Sequence, residues 1–329
     1  MARVVRFHRF GGPEVLQIVD IELTPLAVDE VRIRVKAIGI NRADILMRQG
    51  AYIETPSLPC GLGLEAAGVV AEVGAEVTDI WIGDVVSVIP PTSMERWPAY
   101  GEVATFPARH IVKHPGQIDM ATAAASWMQY LTAYGALVEV AEVVAGERVL
   151  ITAASSSVGL AAIQIANLVG AIPIAVTRGF EKKQALIDAG AHDVISSQDA
   201  MLAENLALAG GKEGFRVVFD PVAGPAFTEI TAAMARGGLL IEYGGLSQLP
   251  TPFPIGSVLA KGLTLRGYLV HEIVTAPARL ERAKAFILDG LSNGNLKPIV
   301  AATFPFEAIA EAHAFVERNQ HVGKVVLTL

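Results

Sequence analysis

The sequence predicts an α/β protein with a β-rich first third and a doubly wound parallel sheet after it. Three observations carry this. Residues 148–183 read as a short β-branched run, a small-residue turn, a helix and a second apolar run. From there to residue 268, apolar runs alternate with helical segments, the pattern of a parallel sheet with crossover helices. The first third instead shows period-two alternation punctuated by glycine and proline.

The elements follow in order. Residues 30–37 alternate polar and apolar side chains, which predicts a half-buried strand. Residues 69–73 and 84–89 are further strands, set apart by Gly74 and Gly83. Pro90 and Pro91 open an irregular loop to Tyr100. Its Met94, Trp97 and Tyr100 either cover a pocket or pack on the loop's own core. Residues 121–126 are small and helix-friendly, and 131–134 continue them. Strands are then expected at 149–153, 172–176, 192–195, 216–219, 238–243 and 263–268. Helices are expected at 157–169, 181–189, 200–209 and 225–235. A helix at 277–288 and a strand at 325–329 return to the first texture.

Bulk properties exclude several classes. The 329 residues suffice for two ordinary domains. A net charge of −7 disfavours a nucleic-acid partner, which wants a basic surface. The single cysteine, Cys60, permits no intrachain disulfide and no cysteine-based zinc cluster. With a charged start in place of a signal peptide, this leads to the expectation of a cytoplasmic protein. Residues 149–177 carry no charged side chain over a length that could span a bilayer. Three serines, Gln164, Asn167, Gly170 and Pro173 interrupt that stretch, so a buried strand–helix–strand is expected and no membrane segment.

The turn suggests a dinucleotide site. Ala154, Ser156 and Gly159 stand at the three glycine positions of a Gly-x-Gly-x-x-Gly fingerprint, with Ser155, Ser157 and Val158 between them. Gly159 sits where helix and strand must pack closely. Ala154 can take the first turn if its backbone stays in a permitted region. Ser156 crowds the pyrophosphate approach, yet offers a hydroxyl beside the free amides of a helix start. Equally, the three serines can simply cap a helix. At the end of the second strand an acid would read a ribose hydroxyl. Here Thr177, Arg178 and Lys182 follow instead, and cations there suit a 2′-phosphate, favouring NADP(H) over NAD(H). Tyr243 and Gly244 close a later strand and are expected to line the cofactor channel.

Several segments resemble the zinc-independent quinone oxidoreductases of the medium-chain dehydrogenase/reductase superfamily. They are residues 12–16, 37–44, 48–52, 63–70, 83–86 and 323–327, so the resemblance spans essentially the whole chain. It implies a GroES-like β-rich catalytic domain (1–122 and 269–329) with a Rossmann doubly wound domain (123–268) inserted. Zinc alcohol dehydrogenases of that superfamily place cysteine where Asn41 stands and histidine where Leu64 stands. Asn41 is a poor zinc ligand and Leu64 is none, so no metal is expected, although Asp44 and Glu65 persist. Without a Lewis acid, alcohol oxidation is hard, whereas quinones and α,β-unsaturated carbonyls accept hydride readily. The resemblance implies that Asn41, Tyr52 and Thr132 approach nicotinamide and substrate, and that Lys182 approaches the 2′-phosphate. Asn41 would donate to the acceptor carbonyl or fix a nicotinamide ribose hydroxyl. Tyr52 would donate to the developing oxyanion, and solvent can supply the final proton. A homodimer is expected through the edge strand at 263–268. The resembling enzymes usually carry glycine at both Ser156 and Ser157, so the pyrophosphate contacts stay open.

Overall fold

A computed structural model describes all residues, Met1–Leu329. The chain divides into two compact units, Met1–Met128 with Pro298–Leu329, and Gln129–Lys297. The expected division at 122/123 and 268/269 therefore differs from the observed one, most at the second boundary.

The first unit begins with a hairpin of β1 (Ala2–Phe7) and β2 (Leu16–Ile21). Then come β3 (Glu30–Ile40), α1 (Arg42–Gln49), β4 (Glu65–Val73), β5 (Val85–Val88), β6 (Val103–Pro107), β7 (Ile111–Lys113) and α2 (Met120–Ala124). Strand β3 alternates only in its first half. Its last four residues are all buried, because β15 and β4 pair along both edges while α2 covers one face and the main core the other. Gly39 permits that approach: a Cβ there would lie 2.2 Å from the Ala124 carbonyl oxygen.

Helix α3 (Trp127–Tyr134) runs on into a π-helical turn, Gly135–Val140. The second unit then alternates strictly: β8 (Arg148–Ile151), α4 (Ser157–Leu168), β9 (Ile172–Thr177), α5 (Lys183–Asp188), β10 (Asp193–Ser196), α6 (Leu202–Gly210), β11 (Phe215–Asp220), α7 (Phe227–Ala232), β12 (Met234–Glu242), α8 (Ile255–Lys261) and β13 (Thr264–Gly267). All six strands are parallel, in the order β10-β9-β8-β11-β12-β13. Strand order reverses between β8 and β11, the place where such sheets open a crevice beyond their carboxyl ends. Helices α9 (His271–Val274) and α10 (Pro277–Ser292) belong to this unit, with Arg279 and Arg282 both paired to Glu139. Those ion pairs and the packing of Phe286 on Tyr134 tie α10 to this unit.

The chain returns to the first unit with β14 (Val300–Pro305), α11 (Ile309–Glu317) and β15 (Lys324–Thr328). Strand β15 pairs parallel with β14 and antiparallel with β3, completing a sheet ordered β14-β15-β3-β4-β5-β7 with β6 on β3. The sequence reading placed neither β14 nor α11. Met94, Trp97 and Tyr100 are buried in this unit's core, so the loop 90–100 packs on its own core and its apolar set is no pocket cover.

Candidate active site

In the second unit the site is built on the end of β8. Thr152 continues the sheet by donating its amide to Phe219 O (3.1 Å), and its hydroxyl bonds the Asp220 carboxylate. Ala153 then takes a left-handed conformation, φ +44°. The strained turn residue is thus Ala153, one place before the alanine to which the sequence assigned the first turn. Such a backbone costs a non-glycine residue about 1 kcal/mol or more. Ala154 is buried and tied to β9 through Val176 O (3.1 Å). Gly159 packs directly on it: a Cβ at 159 would lie 2.6 Å from Ala154 Cα and O. That is the close helix–strand approach the third fingerprint glycine provides.

The serines divide their work. Ser156 is the N-cap of α4, its Oγ accepting from Gly159 N at 3.1 Å. Ser155 Oγ receives a hydrogen bond from Lys182 Nζ at 3.2 Å. The first-turn amides of Ser157 and Val158 precede the intrahelical ladder, so they suit an anion. Lys182 is half-buried. Burial first, and then the neighbouring Arg178 cation, push its ammonium pKa down. Lys182 is the N-cap of α5, so its cation opposes the helix dipole as well as the neighbouring Arg178. A phosphate between them relieves that. Thr177 ends β9 buried. Tyr243 stacks on Phe219 at 4.0 Å between centroids, and Gly244 is exposed beside it. Thr132 is buried in α3, and Tyr130 is a core residue whose hydroxyl donates to Gln164.

In the first unit Asn41 follows β3 and is the N-cap of α1. Its backbone N–H donates to Asp44 Oδ2 (2.8 Å), which also accepts from Tyr100 OH (2.8 Å). Burial pushes the Asp44 carboxyl up to about 7. The Asn41 side chain meets a buried ion pair. Lys324 Nζ donates to Asn41 Oδ1 at 2.6 Å and bonds Glu65 Oε1. Tyr52 is half-buried against the same core, and burial, followed by Asp44 and Glu54, pushes its phenol up to about 12. It therefore keeps its proton at neutral pH and can donate a hydrogen bond. In the sequence Lys324 is only one residue of the segment 323–327. A lysine at the head of a strand that is otherwise apolar was the signal available for it.

Residues 27–116 match the family model "Alcohol dehydrogenase GroES-like domain", and 157–287 match "Zinc-binding dehydrogenase". Quinone oxidoreductase 1 of Escherichia coli is 33% identical over 99% of both chains. This chain belongs to the quinone oxidoreductase family. The human quinone oxidoreductase is 31% identical to this member over 100% of this chain and 98% of its own. The crystal structure of the Escherichia coli quinone oxidoreductase complexed with NADPH superimposes with a TM-score of 0.91 at 32% identity, covering 99% and 100% of the two chains.

The name of the second family model raises the question of zinc, and the residues do not fit it. The Asn41 oxygen is already bonded to an ammonium, which would repel a metal cation. Leu64 is a buried apolar core residue. No three His, Cys, Asp or Glu side chains are grouped to hold a metal. No helix is long and apolar enough to cross a membrane.

Proposed function

We propose that this chain is an NADPH-dependent, zinc-independent oxidoreductase that transfers hydride to quinones or α,β-unsaturated carbonyl compounds. The observation that carries the reading is the pair of cations after β9, Arg178 and Lys182, with Lys182 bonded to the serine turn that follows β8. The likeness of the whole chain to quinone oxidoreductases supports the acceptor class. NADPH supplies the hydride when bound. The chain's residues bind and orient. Ala154, Ser155, Ser156, Ser157, Val158 and Gly159 form the pyrophosphate turn, with first-turn amides as donors. Thr177, Arg178 and Lys182 read the 2′-phosphate. Tyr243 and Gly244 line the dinucleotide. Asn41, Tyr52 and Thr132 are the candidate catalytic residues. The Tyr52 phenol, protonated at neutral pH, donates to the oxygen on which negative charge develops. Solvent supplies the final proton. The first unit is the catalytic domain and the second the nucleotide domain. The protein acts in the cytoplasm as a homodimer paired through β13.

The test is a kinetic screen of quinones, enones and enals with NADPH and NADH in parallel. Turnover with NADPH preferred is expected. NADPH that binds yet is oxidised by no acceptor overturns the enzymatic reading. Stoichiometric zinc in the active protein overturns the metal-free one.

A further inference from the structure

Lys324 is 1% exposed, and lysine is seldom buried without a reason. Its ammonium bonds Glu65, itself 1% exposed, and Asn41 Oδ1 at 2.6 Å. The three residues stand together because β15 pairs with β3 and β3 with β4. Glu65 is held in turn by Met128 N, which donates to Oε2 at 3.0 Å. Room for its carboxylate exists because residue 39 is glycine: a Cβ there would lie 2.6 Å from Glu65 Oε1.

The bonding of Asn41 is one-sided. Its Nδ2 donates to Gly39 O (3.2 Å) and to Glu65 Oε1 (3.3 Å), which uses both amide hydrogens. Its Oδ1 accepts from Lys324 and makes no cap bond to α1, since the Asp44 amide donates to the Asn41 backbone carbonyl (3.1 Å), so a second lone pair is kept. Flipping the amide would set NH2 against the ammonium and the carbonyl oxygen against two acceptors. A side chain that in isolation donates and accepts equally has acceptor capacity alone left to offer. An ion pair that only filled the interior would have no need to engage the Asn41 oxygen, since apolar residues of similar volume fill space as well.

We propose that Lys324, held by Glu65, is a positioning residue that makes Asn41 a dedicated hydrogen-bond acceptor, so that the ligand group meeting Asn41 is a hydroxyl and not the carbonyl of the hydride acceptor. This rests on the reading of Asn41 as a residue that touches the bound dinucleotide. The hydroxyl it accepts from is then one on the nicotinamide ribose.

The test compares two probes, NADPH and adenosine 2′,5′-bisphosphate, which lacks the nicotinamide ribose. Binding is titrated to wild type, Lys324→Arg, Lys324→Met, and the Lys324→Met/Glu65→Gln double variant, which leaves no orphan carboxylate. Thermal melts are recorded separately. In the folded double variant the NADPH Kd rises about tenfold, as for one lost hydrogen bond, while the bisphosphate Kd does not move. NADH weakens by the same factor as NADPH. Lys324→Arg restores most of the affinity. Unchanged NADPH affinity in the folded double variant overturns the proposal, and so does equal weakening of both probes. A wild-type chain that binds neither probe overturns the cofactor reading, and this proposal with it.

Discussion

Replacing Glu242 by glutamine removes a carboxyl that the sheet holds next to Asp220. The two residues are register partners at the carboxyl ends of β12 and β11, so their side chains leave the sheet on the same face. Burial first, and the Asp220 charge second, push the Glu242 carboxyl from 4.5 up to about 9. The Asp220 carboxylate accepts from Thr152 Oγ1 and from the amides of Val222 and Ala223. In the native protein Glu242 thus holds a proton that the unfolded chain releases near its ordinary pKa. The native state binds more protons between those two values, so stability falls as pH rises. The contribution is full below about 4.5 and is lost by about 9. The limiting slope is about 1.4 kcal/mol per pH unit. The group sits at the open end of the sheet, and solvent screening cuts the shift to about half, which shortens the pH range over which stability is lost without changing the slope. Between pH 6 and pH 8 wild type then loses about 1 kcal/mol relative to Glu242→Gln, whose amide stays neutral and can donate to Asp220. Urea unfolding at both pH values measures the gap between the two proteins. A gap of the same size at pH 6 and pH 8 refutes the reasoning.

Three further outcomes are expected. Gly159→Ala drives a Cβ into the Ala154 backbone, costing about 1–3 kcal/mol and weakening NADPH; unchanged melting and affinity would show that the turn yields freely. Ser156→Ala removes the α4 cap and costs about 1 kcal/mol in denaturant unfolding, whereas an equal loss in Ser157→Ala would deny Ser156 its special place. Lys182→Ala weakens NADPH about tenfold or more and NADH by far less, as binding titrations would read; equal weakening of both makes it a surface lysine.

The sequence made the second unit legible because each element there carries its own signal. A continuous apolar run such as Ile172–Thr177 reads as a strand buried on both faces, and the strands alternate with helices at a steady spacing. Boundaries moved where neighbours decided them. β12 starts at Met234, earlier than its apolar run, because it pairs there with Phe215 at a register shift. The first unit was harder. β14, whose residues Val300–Pro305 include two alanines and a proline, has weak strand propensity, and pairing with β15 makes it a strand. The serine turn could be located but not divided into roles, because the Ser156 cap and the Ser155–Lys182 bond depend on where α4 and α5 begin. Lys324 lay furthest from view. Its partners Asn41 and Glu65 are distant in sequence, and only the order of strands around β3 brings them together.

The interleaving of the two units along the chain has a consequence for biosynthesis. Residues 129–297 form one uninterrupted segment with all six strands of its sheet, so it can finish folding as soon as it leaves the ribosome. Residues 1–128 emerge earlier yet cannot close their sheet, because β15 must still pair with β3. Until then the stretch of β3 that β15 will cover, residues 37–40, is an open edge beside strands already paired, the kind of edge that draws neighbouring chains into aggregates. The older half of the molecule is thus the one that depends longest on protection during synthesis.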